Sequence, residues 1–109
     1  MPRYSLGKFE HLVLLTLVRL GGRGHAALVV TELENATGRS VSPAAVFIAL
    51  RRLEQRGLAR SSKREPRPGE GGRGRRVFRM TPAGETRLRE ARQTLERLWS
   101  SAHTAPEAS

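Results

Sequence analysis

The sequence contains no cysteine, which excludes disulfides, thiolate metal sites and a cysteine nucleophile. Aromatic side chains are nearly as scarce: Tyr4, Phe9, Phe47, Phe78 and Trp99 are all that 109 residues hold, so a pocket built on aromatic stacking has little to draw on. Long apolar runs are missing too. Leu12–Leu20 is broken by Thr16 and Arg19 and is too short to span a bilayer. Its flanks lack the small-residue cleavage pattern of a signal peptide, so no membrane segment is expected and the cytoplasm is the expected location. Lysine has almost vanished, with two against eighteen arginines, a usage that suggests a high-GC bacterial genome. Acidic residues number only ten, leaving a formal net charge of +10.

The cationic excess is focused. Residues 51–80 carry eleven Lys/Arg against Glu54, Glu65 and Glu70, so +8 of the +10 lies there. Such a concentration points to a polyanionic partner: nucleic acid, an anionic membrane or an acidic protein. The chain is long enough for one domain with a modest core, to which association would add buried area. Catalysis finds no support. His11, His25 and His103 are scattered, with no nucleophile–base–acid set and no metal-ligand spacing, and no cofactor is implied. The glycines of EPRPGEGGRG are not followed by the Gly-Lys-Ser/Thr of a phosphate-cradling loop.

The stretch Arg39–Gly57 is the most informative. Ser42 as N-cap and Pro43 at the first helical position predict a helix start, and Gly57 a left-handed stop. At helical spacing Val46, Ala49, Leu50 and Leu53 form a core-facing stripe. The opposite side carries Ala44, Phe47, Ile48, Arg51 and Gln55. A face mixing small, apolar and cationic groups suits a DNA major groove. Arg51 is the first candidate for a base-edge contact, since a bidentate Arg–guanine pair is worth about 1–3 kcal/mol of discrimination. Ile48 has two readings, a thymine-methyl contact or packing on the hairpin that follows. Arg52 and Arg56 are expected to meet backbone or solvent. Backbone N–H groups at Ala44 and Ala45 are placed to meet a phosphate.

Around this stretch the periodicity predicts a first helix at about Leu6–Leu20, capped by Ser5 and apolar nearly all round. A flexible Gly21–Gly24 loop follows, then a second helix at His25–Thr37 stopped by Gly38. Two helices joined through a short turn with Gly at its start make a helix-turn-helix pattern. Leu58–Arg64 and Arg75–Met80 read as short strands joined by the long loop Glu65–Gly74, a basic hairpin of the kind called a wing. Arg60, Lys63, Arg64, Arg67, Arg73, Arg75, Arg76 and Arg79 are its cations. Phosphate contact is favoured over a solvated hairpin that only keeps its edge from aggregating. Thr81-Pro82 starts a last helix at about Pro82–Ser100. Its Leu88, Ala91, Leu95 and Leu98, with Trp99 beside them, form a coiled-coil-like seam.

These residues resemble the PadR family of bacterial transcriptional regulators in its short form. The matching stretches are LGKFEHLVLLTLVRLG (Leu6–Gly21), TELENATGRSVSPAAVFIALRRLEQRGL (Thr31–Leu58) and GGRGRRVFRMTPAG (Gly71–Gly84). The most specific parts are Phe47-x-x-Leu50-x-x-Leu53-Glu54 followed by Gly57-Leu58, and Gly72-Arg73…Thr81-Pro82-Ala83-Gly84. The resemblance implies a homodimer built on the first and last helices. It also implies a recognition helix in the major groove, a hairpin on flanking backbone, and a repressor in some members relieved by a small effector. Phe47 stands where the family usually has tyrosine, so one hydroxyl is lost, while the ring keeps the option of packing or touching a thymine methyl.

The expected fold is therefore mainly α with a small β-hairpin: a winged helix-turn-helix over 1–80, a dimerisation helix over 81–102 and a flexible tail over 103–109. The expected partners are double-stranded DNA and a second copy of the chain. The DNA set is Arg39, Ser42, Ala44, Phe47, Ile48, Arg51, Gln55, Lys63, Arg64, Arg73, Arg75 and Arg76. The dimer set is Phe9, Leu12, Val13, Leu88, Ala91, Leu95, Leu98 and Trp99. A winged helix that binds protein or RNA is the rival reading.

Overall fold

A computed structural model describes residues 6–64 and 75–104. Among them the elements run α1 (Lys8–Arg19), β1 (Arg23–His25), α2 (Ala26–Thr37), α3 (Pro43–Gln55), β2 (Ala59–Lys63), β3 (Arg76–Met80) and α4 (Pro82–Thr104). Ser5, the hairpin loop with Arg67 and Arg73, and residues 105–109 lie outside the described residues.

Each of the first three helices begins and ends for a local reason. Gly7, in extended conformation, occupies the N-cap position of α1. His25 caps α2, its Nδ1 accepting from the Leu28 N–H at 3.2 Å, and Gly38 closes it at φ 70°. Ser42 Oγ accepts from the Ala45 N–H at 3.2 Å and Pro43 sits at the start of α3, with Gly57 following at φ 77°. That hydrogen bond takes the Ala45 N–H away from any phosphate, leaving Ala44 as the first-turn donor.

The stripe expected on α3 is the stripe found. Val46, Ala49, Leu50 and Leu53 are buried against Val13, Leu14 and Leu17 of α1 and Val29 and Leu33 of α2. Full burial of side chains such as Leu50 and Leu53 stabilises by about 1.5–3 kcal/mol each. Thr16 is the buried polar residue of α1, and its hydroxyl donates to the Leu12 carbonyl at 2.7 Å, which removes the cost of an unpaired group.

The Gly21–Gly24 stretch is not the flexible loop its glycines suggest. Gly21 and Gly22 do turn at φ 85° and 97°, but Arg23–His25 is a strand paired antiparallel with β3. The sheet order is β1-β3-β2, three strands rather than a two-stranded hairpin. Three residues without a β-branched side chain give no periodic signal, and the partner strand makes this one. Phe78, at the centre of β3, is fully buried and plugs the sheet onto the helices.

The last helix is longer than its pattern indicated, reaching Thr104 rather than Ser100, so positions 103 and 104 of the expected tail are helical. No Gly or Pro interrupts 100–104, and Ser101 Oγ donates back to the Arg97 carbonyl at 2.9 Å. Two hydrogen bonds of Thr81 tie the start of the helix to the fold. Thr81 Oγ1 donates to the Gly57 carbonyl at 2.7 Å and accepts from the Gly84 N–H at 3.1 Å. Gly84 and Leu88 are buried, and beyond Ala91 the described side chains are exposed through position 102. No helix among the described residues is long and apolar enough to cross a membrane.

Candidate nucleic-acid interface

Capping and periodicity aim α3 so that Ala44, Phe47, Ile48, Arg51 and Gln55 all face outward and exposed, as do Arg39 and Ser42 in the preceding turn. Phe47 and Ile48 keep 42% and 51% of their surface in solvent, a large apolar exposure for a helix with a complete core stripe. Phe47, not Ile48, leans on the wing: its ring meets the buried Phe78 edge-on with centroids 6.0 Å apart. Ile48 is left pointing outward.

A chain of polar contacts fastens this face to the wing. Arg51 Nη1 lies 3.3 Å from Glu54 Oε1. Glu54 Oε2 accepts from the Ser61 N–H at 3.1 Å and from the Ser61 hydroxyl at 2.7 Å. Ser61 Oγ in turn accepts from Arg76 Nη1 at 2.9 Å. The carboxylate thus couples the reading helix, the outgoing strand and the returning strand. Glu54 was visible in the sequence only as part of a motif, though one acid among so many cations was a signal of a positioning role. Arg51 reaches a base only by leaving or sharing its partner, a contact exposed enough to be worth about 1 kcal/mol at most.

Strand alternation divides the wing's cations between two faces. Ser61 pairs with Phe78 and Lys63 with Arg76, so Lys63 and Arg76 share the face that looks toward α3. Arg60 pairs with Arg79, and the Arg64 N–H donates to the Arg75 carbonyl at 2.7 Å. Arg60, Arg64, Arg75 and Arg79 therefore lie on the opposite face, where Arg64 and Arg75 line a cavity of about 640 Å³ with Arg23, His25 and Arg79. The single cationic surface expected of the hairpin is two surfaces back to back. Arg56 is likewise not a solvent or backbone group: its Nη1 pairs with Glu10 Oε1 of α1 at 2.7 Å.

Burial divides the apolar seam as well. Val13 is fully buried and Leu88 nearly so, both within the chain's own core, and Phe9 and Leu12 pack partly against it. Neither Val13 nor Leu88 is therefore a surface group. Leu95, Leu98 and Trp99 are exposed at 61%, 62% and 70%, with Ala91 half-buried beneath them. Across from them on α1, Leu15 and Val18 are exposed as well, and the two helices border an apolar cleft of about 800 Å³. Leu15 and Val18 were absent from the expected set because a helix apolar nearly all round does not announce which side its own core takes.

The architecture and sequence both have counterparts. The PadR-like family of transcriptional regulators matches residues 14–90. The chain is 43% identical over 74 residues to the transcriptional regulator Rv3488 of Mycobacterium tuberculosis, a match covering 68% of this chain and 64% of that protein. It is similar to the crystal structure of a PadR family transcriptional regulator from Eggerthella lenta (TM-score 0.70, 26% identity, 90% of this chain and 83% of the other). A PadR-like transcription factor from Bacteroides fragilis shares the fold (TM-score 0.76, 20% identity, 90% and 89%). The match spans well over half the chain, from within α1 through α2, α3 and the three strands to the start of α4: the protein belongs to the PadR-like family of transcriptional regulators, a family of regulators rather than enzymes.

Proposed function

We propose that the protein is a sequence-specific DNA-binding repressor that acts as a homodimer. The observation that carries this reading is the exposed face of α3, held by the Arg51–Glu54–Ser61–Arg76 chain in a fixed relation to the cations of the wing. In the major groove, Arg51 and Gln55 have the hydrogen-bonding groups for base edges, and Ala44, Phe47 and Ile48 the apolar surface for thymine methyls. Arg39, Ser42, Lys63 and Arg76 flank that face, where phosphate contacts set register without reading sequence. The α3 side of the wing follows the flanking backbone or the minor groove. A-form RNA fits less well, because its deep, narrow major groove does not admit a helix.

The dimer is supported by exposed Leu95, Leu98 and Trp99 on a helix that has left its own core, facing Leu15 and Val18 across an open apolar cleft. A second copy that covers this surface presents two α3 helices, and hence expects two half-sites about 10 bp apart or a multiple of that. The test is binding of the purified protein to the DNA upstream of its own coding sequence and to unrelated duplexes, across a salt series. Tighter binding to the upstream region is expected, with log K falling against log salt by about 0.9 per phosphate neutralised. Equal affinity for every duplex contradicts the reading.

A further inference from the structure

The outer face of the sheet carries an arrangement that the reading helix does not use. Arg23 of β1 and Arg60 of β2 both pair directly with Arg79 of β3. All three are exposed, and alternation from the buried Phe78 puts all three side chains on the face turned away from α3. Like charges directly opposite one another destabilise a sheet. None of the three has an ion pair or a side-chain hydrogen bond among the described residues, so none of those residues offsets the repulsion. A row of three exposed arginines with no partner among the described residues is free to take an external anion.

Its dimensions indicate an extended anion. Adjacent strands lie about 4.8 Å apart and residues about 3.3 Å along a strand, so the row spans about 10 Å. On the same face Arg64 and Arg75 continue the cations about 13 Å toward the hairpin end, around a shallow cavity of about 640 Å³ lined by no acidic residue. The donors, all exposed except the half-buried Arg64, spread over an area wider than one phosphate group, as suits a polymer backbone. We propose that this face binds the phosphate backbone of a second DNA segment, so that the protein bridges a duplex on α3 and a duplex on the back of the wing. The proposal rests on the reading that α3 takes a first duplex, and goes beyond it in assigning a second site on the other side of the sheet.

The test is a two-duplex capture at low salt. One duplex, carrying the preferred site, is immobilised and loaded with protein, and a second, fluorescent duplex without that site is added. Wild-type protein is expected to retain the second duplex. The triple variant Arg23→Gln, Arg60→Gln, Arg79→Gln is expected to bind the first duplex as wild type does and to capture the second more weakly. Its log–log salt slope for second-duplex capture is expected to be shallower by about 2.7, at 0.9 per phosphate contact. The single variant Arg79→Gln, which removes the central charge, is expected to be shallower by about 0.9. Unaltered capture by the triple variant, or no capture by wild type loaded on the first duplex, overturns the proposal while leaving the α3 reading intact. So does binding of anionic vesicles or an acidic peptide to this face with no second duplex retained. Failure to bind the first duplex at all is the separate failure of the α3 reading, and the bridging proposal falls with it.

Discussion

Glu54 Oε2 takes two hydrogen bonds from Ser61, one from the backbone N–H at 3.1 Å and one from the hydroxyl at 2.7 Å. One carboxylate near the end of α3 thereby fixes the strand that leaves it. Hydrogen bonds to charged groups contribute about 1.5–3 kcal/mol, so Glu54→Ala is expected to destabilise by about that amount. In a domain of this size each kcal/mol lowers Tm by about 4–8 °C. Thermal unfolding followed by circular dichroism measures it; an unchanged Tm contradicts the coupling.

Gly84 marks a second fixed point, between the sheet and α4. A Cβ there overlaps the Leu58 carbonyl oxygen and comes within 2.9 Å of Met80 Cγ. Alanine normally gains about 1 kcal/mol over glycine inside a helix. Here the overlap reverses the sign, and Gly84→Ala is expected to cost about 1–3 kcal/mol, as overpacking does. A urea midpoint raised by the substitution contradicts the close approach.

What the sequence made legible follows from which signals are local. The caps at Ser42 and Pro43, the stops at Gly38 and Gly57 and the four-residue core stripe of α3 depend on neighbours a few positions away, and all stand in the structure. Strand β1 exists because β3 pairs with it, and three residues of Arg-Gly-His carry no trace of that partner. Val13 belonged to a helix apolar on every side, so its burial in the monomer core was decided by packing with α2 and α3 rather than by its own pattern. The split of the wing arginines was recoverable in principle, since alternation is fixed once a register is known. The register depends on pairing between strands ten or more residues apart in sequence, which no local rule sets.

Burial separates two substitutions that the sequence alone treats alike. Leu95 is exposed on a part of α4 that has left the core, so Leu95→Glu is expected to give a folded monomer by light scattering, with helical content retained. Val13 is at zero exposure, and Val13→Glu, which buries an unpaired carboxylate, is expected to abolish cooperative unfolding. A dimeric Leu95→Glu protein places the interface elsewhere.

Reading and clamping separate in the same way. Arg51→Ala is expected to relax discrimination at one base position by about 1–3 kcal/mol. Lys63→Ala, on the α3 side of the wing, is expected to weaken all duplexes alike and to make the log–log salt slope shallower by about 0.9. Competition binding with single-base variants of the preferred duplex distinguishes them, and the reverse pattern exchanges the two roles.

The exposed face of α3 is proposed to read DNA sequence in two copies. Selection of bound duplexes from a fully randomised pool by the purified protein is the test. Enrichment of one motif repeated with two-fold symmetry is expected, its halves about 10 bp or a multiple of that apart. A bound pool as random after selection as before contradicts it.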